Sequence, residues 1–508
     1  MNEIYGCDVG NGFSYLTLCS PHTGQPLSML PAGIRGLNTK IGMPSDAYVT
    51  PPEGKPIHVF DPKDGSANQR ILRDPERGVR TVKRRFTQSG IPLNGIRTPV
   101  SPFEVYGAIA RDLVTLGNLQ RTADGQPPIY DLILTYPACI NQFNNGIELL
   151  NRMVESVEQV VIDGHHLHVV HPLPEPAAIG IAYLDFVRSR TQGSAVQELT
   201  VLVYDLGHGT FDTSIVTARA NGEPYDVWIT DGLPDRGGKD FDDALLQYVL
   251  DELQSRYDYT PLNKTEQEEL RLEVVNMKHE LSDHDLASFS HLNRLNASYM
   301  EVNVTRSQLE EITNDLLSDT IDCTRRILSR YLNDKSGSGK IDAIVLSGGA
   351  SRMPMVANRL KSTLQPSCPI DLFRPSEAVS FGAALYAQNA ARLHTATSYY
   401  VLDEAAGIHG KLTLAIPSGA ELPAQSQPLT LHLPSDRQDV RILRPKQEPP
   451  ADTLHINDCQ HLINLHFDLP QEDDYVMTMT VSDDYNITVT LKGQDVTLTA
   501  STARRSSD

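Results

Sequence analysis

Val201-Leu202-Val203-Tyr204-Asp205-Leu206-Gly207-His208-Gly209-Thr210-Phe211-Asp212 decides the fold. An aliphatic run meets an Asp-Leu-Gly-x-Gly turn, and a second β-rich run follows from Phe211 to Val216. Glycine adopts the positive φ that a tight turn between antiparallel strands demands, so the stretch predicts a hairpin. The same punctuation opens the chain, 197 residues earlier, as Tyr5-Gly6-Cys7-Asp8-Val9-Gly10-Asn11-Gly12 followed by Phe13 to Leu18. That offset is far too long for a solenoid repeat. It predicts two similar lobes, each opening with one such hairpin.

Working outward, a third glycine turn stands at Ile344-Val345-Leu346-Ser347-Gly348-Gly349-Ala350-Ser351-Arg352-Met353-Pro354. Between the second and third turns the pattern is helical. Thr265-x-x-Glu268 and Thr305-x-x-Gln308 read as capping boxes, each ahead of an apolar face at helical spacing. Ser336-Gly337-Ser338-Gly339 reads as a flexible joint. Past about residue 395 helical periodicity gives way to short alternating runs punctuated by Pro417, Pro423, Pro428, Pro434 and Pro445. Val476–Val481 and Ile487–Leu491 predict a hairpin. The expected organisation is an α/β body over 1–395, a small β-rich domain over 396–500 and a disordered tail over 501–508.

The chain has 508 residues and a net charge of −20. Such an acidic surface repels polyphosphate backbones and argues against nucleic-acid binding. The six cysteines form no C-x-x-C pair and are too sparse for a disulfide scaffold. The N-terminus lacks a basic-then-apolar start, and no apolar run approaches the ~18 residues of a membrane span. A soluble, cytoplasmic protein without a membrane partner is expected.

Two facing glycine turns present backbone N–H groups with no Cβ in the way, which suits a polyphosphate. An acid at each turn, Asp8 and Asp205, can hold a divalent cation through its waters, and the cation neutralises the phosphates. Phosphoryl transfer needs mainly positioning and charge stabilisation. Either motif alone reads first as an ordinary Asp-Gly hairpin turn; the two together, with the third turn downstream, favour the ligand reading.

Asp8-Val9-Gly10-Asn11, the stretch from Asp205 to Asp212, Gly237-Gly238-Lys239-Asp240-Phe241-Asp242 and Leu346 to Pro354 together resemble the seventy-kilodalton heat-shock (DnaK-like) chaperones of the actin-like ATPase superfamily. Tyr136-Pro137-Ala138, Glu175-Pro176-Ala177-Ala178, Thr305-Arg306 and Glu377 to Ala384 follow in the family's order. The resemblance covers residues 1–395. It implies a two-lobed, ribonuclease H-like nucleotide-binding domain with ATP or ADP and Mg²⁺ in the central cleft. By it, Asp8 and Asp205 arrange the metal's waters, and Asp212 and Glu175 complete the catalytic floor. Gly10, Asn11, Gly12, Gly207, His208, Gly209 and Thr210 line the phosphates, beside Gly237 and Gly238. Gly348, Gly349 and Arg352 pack about the adenosine, and Lys278 and Ser282 meet adenine and ribose.

Departures from the family are equally specific. Counting back from Asp74-Pro75 and Lys83-Arg84, the position of the family's γ-phosphate lysine falls on Asn68, with Arg70 as a substitute, which predicts slow hydrolysis. His208 stands where the family has glycine, Val275 and His279 replace a Glu and an Arg on the adenine helix, and Ser376 replaces an acid near the ribose. The interlobe switch retains Pro137, but its arginine position holds Asn145. Tyr399 to Ala406 is at best a remnant of the acidic linker. The final segment is similar to a shortened, lidless peptide-binding β domain, through Ser435 to Ile442 and the late hairpin. His165, His166, His168 and His171 are expected to be structural rather than metal-binding, and the basic run from Arg70 to Arg85 to be solvated or to lie at the lobe interface. Cys7 and Cys19, which could face each other across the first hairpin, are expected to be plain core residues. The implied activity is ATP binding with slow hydrolysis that controls a protein or peptide client held by the β domain, with a co-chaperone or nucleotide exchange factor as a further partner. The alternatives are a nucleotide sensor without turnover and, third, a sugar-kinase-like transferase.

Overall fold

The computed structural model describes residues 3–20, 23–34, 37–39, 41–50, 57–143, 145–191, 196–220, 225–261, 263–293, 298–333, 340–390, 399–403, 411–416, 424–433, 439–445, 459–467, 469, 473–481, 487–493 and 496–501. The chain divides into two compact units, Met1–Ala218 with Tyr225–Gln388, and Arg219–Pro224 with Asn389–Asp508. The expected boundary between residues 395 and 396, the Ser336–Gly339 joint and the tail past Ser501 lie outside the described residues.

Two sheets organise the first unit. One runs β3-β2-β1-β4-β5, formed by β1 (Tyr5–Asp8), β2 (Phe13–Cys19), β3 (Pro26–Ser28), β4 (Asp131–Tyr136) and β5 (His168–Pro174), with Met43–Pro44 also paired to β2. The other runs β8-β7-β6-β9-β10, formed by β6 (Glu198–Leu206), β7 (Phe211–Arg219), β8 (Tyr225–Leu233), β9 (Ala343–Ser347) and β10 (Ile370–Leu372). Strand order is the same in both. Direction follows it too, because β1/β4/β5 and β6/β9/β10 are parallel while β1/β2, β2/β3 and β7/β8 are antiparallel. The internal echo of the sequence is therefore a duplicated five-stranded topology, with an Asp-x-Gly hairpin opening each copy. Cys7 pairs with Leu16 and Cys19 with Pro26, so the two thiols do not oppose each other across the first hairpin; both are free.

β6 and β9 read as near-continuous Val, Leu and Ile, and β7 is buried along almost its whole length, because helices cover such sheets on both faces. Two of those helices, α1 (Glu175–Arg190) and α4 (Ala378–Ala390), cross beneath both sheets. Ile133 of β4, Val201 and Val203 of β6, Ala177 and Ile181 of α1, and Phe381 and Leu385 of α4 belong to one buried cluster, so the two lobes share a base. Their approach is as close as backbones allow: a Cβ on Gly382 would lie 1.8 Å from the Ala178 carbonyl oxygen.

Beyond that base, α2 (Gly238–Tyr257) and α3 (Lys264–Asp283) pack against the hairpin Leu286–Asn293/Ser298–Thr305, whose inward residues strictly alternate. The predicted capping box at Thr305 is present: its side chain accepts from Gln308 N and that glutamine reaches back. The box predicted at Thr265 is displaced. The helix starts two residues earlier, capped by Asn263, whose side chain accepts from Glu266 N at 3.0 Å.

Among the described residues from Tyr399 onward, the second unit forms strands. A four-stranded sheet (Tyr399–Asp403, Lys411–Ile416, Asp439–Pro445, Cys459–His466) and a five-stranded sheet (Ala424–Gln425, Leu429–Leu433, Asp473–Val481, Ile487–Lys492, Thr497–Ser501) pool Val401, Ile442, Tyr475, Met477, Met479 and Val489 in one core. Met477↔Leu491 and Met479↔Val489 register the late hairpin; its turn, Ser482 to Asn486, lies outside the described residues.

Candidate functional site

Because β1 and β6 occupy equivalent places, Asp8 at the end of β1 and Asp205, next to last in β6, carry turns that project from the two lobes. The turns touch. A Cβ on Gly12 would lie 2.8 Å from His208 Cβ, and one on Gly209 would lie 2.5 Å from Asn11 Nδ2. The start of α2 docks on the same turn: Gly238 N donates to Gly207 O at 2.8 Å and Lys239 N to His208 O at 2.8 Å. Gly237 N donates to Asp240 Oδ2 at 2.7 Å, and Arg84 from the other lobe holds Asp240 (Nη1 to Oδ1, 3.0 Å) and the Gly209 carbonyl. Gly10 N donates to Ser14 Oγ at 3.2 Å, and Asn11 Oδ1 accepts from Lys83 N at 3.1 Å. The third turn arrives through Gly348 at φ +78°, where a Cβ would strike Asp205 Oδ1 at 2.5 Å.

Around this meeting point four carboxylates are buried, those of Asp8, Glu175, Asp205 and Asp212. Lys83 Nζ lies 2.7 Å from Glu175 Oε1, with the lysine side chain 5% exposed. Thr135 Oγ1 donates to Asp8 Oδ1 at 3.4 Å and Cys139 N to Asp212 Oδ1 at 2.9 Å. Burial pushes Asp8 up to about 7, opposed by Lys83 and reinforced by Glu175. Burial and Glu175 likewise lift Asp212 to about 6. Asp205 is driven well above the carboxylate range by burial and by the charges of Glu175, Asp212 and Asp8. Burial works against the charge on Lys83, but Glu175 and Asp8 overcome it and raise its pKa. His208, half-buried between the turns, falls to about 4 because desolvation disfavours its cation.

Such a donor set fits a hydrated divalent cation. Four acids face one lysine, and a Mg²⁺ that keeps its water shell would be held by one or two carboxylates rather than a protein cage. Among the described residues no three His, Cys, Asp or Glu side chains converge as a direct cage. Beside the cluster, a Cβ on Gly349 would meet nothing within 4 Å, open space next to the third turn.

On α3, Lys278 is tied down: Nζ lies 2.6 Å from Asp242 Oδ1 and donates to Gly238 O at 2.9 Å. Its charge therefore braces the Gly237-Gly238 turn. Ser282 Oγ donates to Lys278 O at 3.3 Å. His279 is lowered by burial and by Lys278, with exposed Arg352 within electrostatic reach. Thr210 O closes the turn by accepting from Gly207 N at 3.0 Å.

Asn68 is exposed on the first turn of the helix Asn68–Arg73, whereas the cation paired within the carboxylates is Lys83. Gapless counting missed it because the basic run read as one surface. The run in fact divides. Arg70 pairs with Asp64 near solvent, whereas Arg80 reaches both Asp46 (3.3 Å) and Glu268 of α3 (2.7 Å), and Lys83 and Arg84 enter the site. One signal was available: Lys83 is the single lysine among those arginines, and an ammonium is the compact point charge that a phosphate accepts. The histidines splay apart, with His168 Nδ1 on Asp131 (3.1 Å), His166 Nδ1 on the Glu158 carbonyl (2.9 Å), His165 against Tyr130 and His171 against Tyr386.

Duplicated lobes with facing Asp-x-Gly hairpins over shared crossing helices define the actin-like, ribonuclease H-like fold. A family model described as "Hsp70 protein" matches residues 162–405. The chain is 30% identical over 331 residues to the chaperone protein DnaK of Thermotoga neapolitana, covering 63% of this chain and 50% of that one. It is 28% identical over 301 residues to heat shock cognate 70 kDa protein 3 of Dictyostelium discoideum, covering 58% and 44%. Over these stretches the chain is similar to the Hsp70/DnaK-like family, as a divergent relative. It spans about half the length of the curated relatives it matches. No helix among the described residues is long and apolar enough to cross a membrane.

Proposed function

We propose that the chain is a chaperone-like ATPase that takes up ATP with Mg²⁺ between its lobes and uses the nucleotide to control a protein or peptide client. Lys83 among four buried carboxylates drawn from both lobes carries this reading. Mg²⁺ would supply charge neutralisation and ordered water to the phosphates. Asp8 and Asp205 would orient those waters; Gly10 to Gly12 and Gly207 to Thr210 would offer backbone N–H groups; Lys83 would turn from Glu175 towards the terminal phosphate. Asp212 and Glu175 would hold the attacking water, which cleaves ATP to ADP and phosphate. Gly237 and Gly238 would back the phosphates, and Gly348, Gly349, Arg352, His279 and Ser282 would border the adenosine. Binding that draws the two hairpins together closes the lobes, and a client on the β-rich unit is the readout, with a co-chaperone or exchange factor setting the pace. Lys83 would take the phosphate-cation role expected of position 68, with turnover still slow.

One observation favours a sensor without turnover: His208 packs against Gly12 where the opposing turn must admit phosphate. A single-turnover assay with γ-labelled ATP separates the two readings. We expect phosphate release by the wild type and its loss, by at least roughly 100-fold, in Asp205→Asn. Tight ATP binding with no release would leave the sensor.

A further inference from the structure

Asn11-Gly12 of the first hairpin and His208-Gly209 of the second hold matching places, three and four residues after Asp8 and after Asp205. In the fold the two pairs meet crosswise. The His208 side chain lies over Gly12, where an added Cβ would sit 2.8 Å from both Cβ and Cγ of the histidine. The Asn11 side chain lies over Gly209, where an added Cβ would sit 2.5 Å from Nδ2 and 2.6 Å from Cγ of the asparagine. Neither Gly12 nor Gly209 has the positive φ expected of a hairpin glycine. The turn itself therefore does not demand glycine at these two places; the close approach of the other turn's side chain does. Both turns are also held where they meet. Buried Asn11 accepts at Oδ1 from Lys83 N at 3.1 Å, Ser45 N donates to Gly12 O at 2.9 Å, and Lys239 N donates to His208 O at 2.8 Å. Gly237 packs on the second turn so closely that a Cβ there would lie 2.6 Å from the Gly209 carbonyl carbon.

We propose that this crosswise contact is a plug built into the nucleotide site: Asn11 on Gly209 and His208 on Gly12 close the space between the hairpins, and the turns must part before a triphosphate can enter. Side chains in van der Waals contact with the facing backbone leave no room for a phosphate, whose oxygens have to reach N–H groups of both turns. Once a phosphate is in, the turns can close on it instead of on each other. Opening then precedes binding, and the apparent affinity is reduced by the fraction of chains that are open. The duplication of the lobes makes the two halves of the plug equivalent, so deleting either side chain releases half of the contact. In this role, which rests on the nucleotide-site reading above, the contact governs how the site admits its ligand and not which ligand it takes.

Stopped-flow binding of a fluorescent ATP analogue with Mg²⁺ to the full chain tests this, comparing wild type with His208→Gly. An opening step ahead of binding makes the observed rate level off as nucleotide concentration rises. The wild type is expected to reach such a plateau, and His208→Gly to raise it by roughly tenfold with little change in dissociation. Asn11→Gly, the matching change in the other turn, should move the plateau the same way. A second measurement needs no nucleotide. The three atoms nearest to a methyl on Gly12 all belong to His208, so Gly12→Ala should lower the thermal unfolding midpoint and the double variant with His208→Gly should recover it. A wild-type rate that rises linearly and is matched by His208→Gly would overturn the plug while leaving the site reading intact. So would weaker binding by His208→Gly through faster dissociation alone, since the imidazole would then be a phosphate donor, or a Gly12→Ala chain as stable as wild type. Binding by His208→Gly but not by wild type would support the plug; binding by neither, with both folded, would remove the site reading and the plug with it.

Discussion

Lys83→Met is expected to lower single-turnover ATP hydrolysis by roughly 100- to 1,000-fold, the range seen when one preorganised charge or donor is removed from a developing anion. Lys83 is the cation that acts on Asp8, Asp205 and Asp212 and pairs directly with Glu175. Methionine keeps the volume and removes the charge. Stability should move with it, because breaking a buried ion pair strands its partner, by about 3 kcal/mol at pH 8. At pH 5 that loss should shrink, since Asp8 and Asp212, at about 7 and about 6, are protonated there and the stranded charge is smaller. Quench-flow kinetics and urea unfolding at the two pH values check both effects. Turnover within threefold of wild type would pass the role of phosphate cation to another residue, with Arg84 the nearest by placement.

Asp8→Asn should separate stability from function in the other direction. A carboxyl held at about 7 in the fold and near 4 in the unfolded chain makes the folded state bind the extra proton between those values. The stability this confers is therefore fully present below about pH 4 and is lost as pH rises towards 7, by up to about 4 kcal/mol. Asparagine carries no such charge. The ligand-free variant should unfold at a higher denaturant concentration than wild type at pH 8 and show a flatter profile from pH 5 to 8, while losing Mg²⁺-dependent ATP uptake. Parallel profiles for the two proteins would mean that Asp8 does not titrate in this range. Stabilisation on removing a site acid is the behaviour of a cleft that keeps like charges close for a ligand.

Much of this was legible beforehand for reasons that can be named. The hairpins at Asp8 and Asp205 announce themselves because turn glycines and flanking aliphatics are local signals, and their repetition encodes the duplicated sheets. Thr305 was legible as a cap for the same reason. Lys83 was not, because nothing local distinguishes a buried lysine from the arginines around it; only the packing of Phe86 and Phe103 draws that turn inward. Gapless counting then placed the missing cation on Asn68, a surface helix start. Thr265 was passed over as a cap because Asn263, two residues earlier, competes for the same orphan N–H groups.

The most direct measurement is calorimetric titration of the full chain with ATP in the presence and absence of Mg²⁺. Saturable uptake of one ATP per chain, tightened by Mg²⁺ and abolished in Asp205→Asn, is the expected result. A folded wild-type chain that gives no binding heat with ATP or ADP, or an Asp205→Asn variant that binds as tightly as wild type, would contradict it.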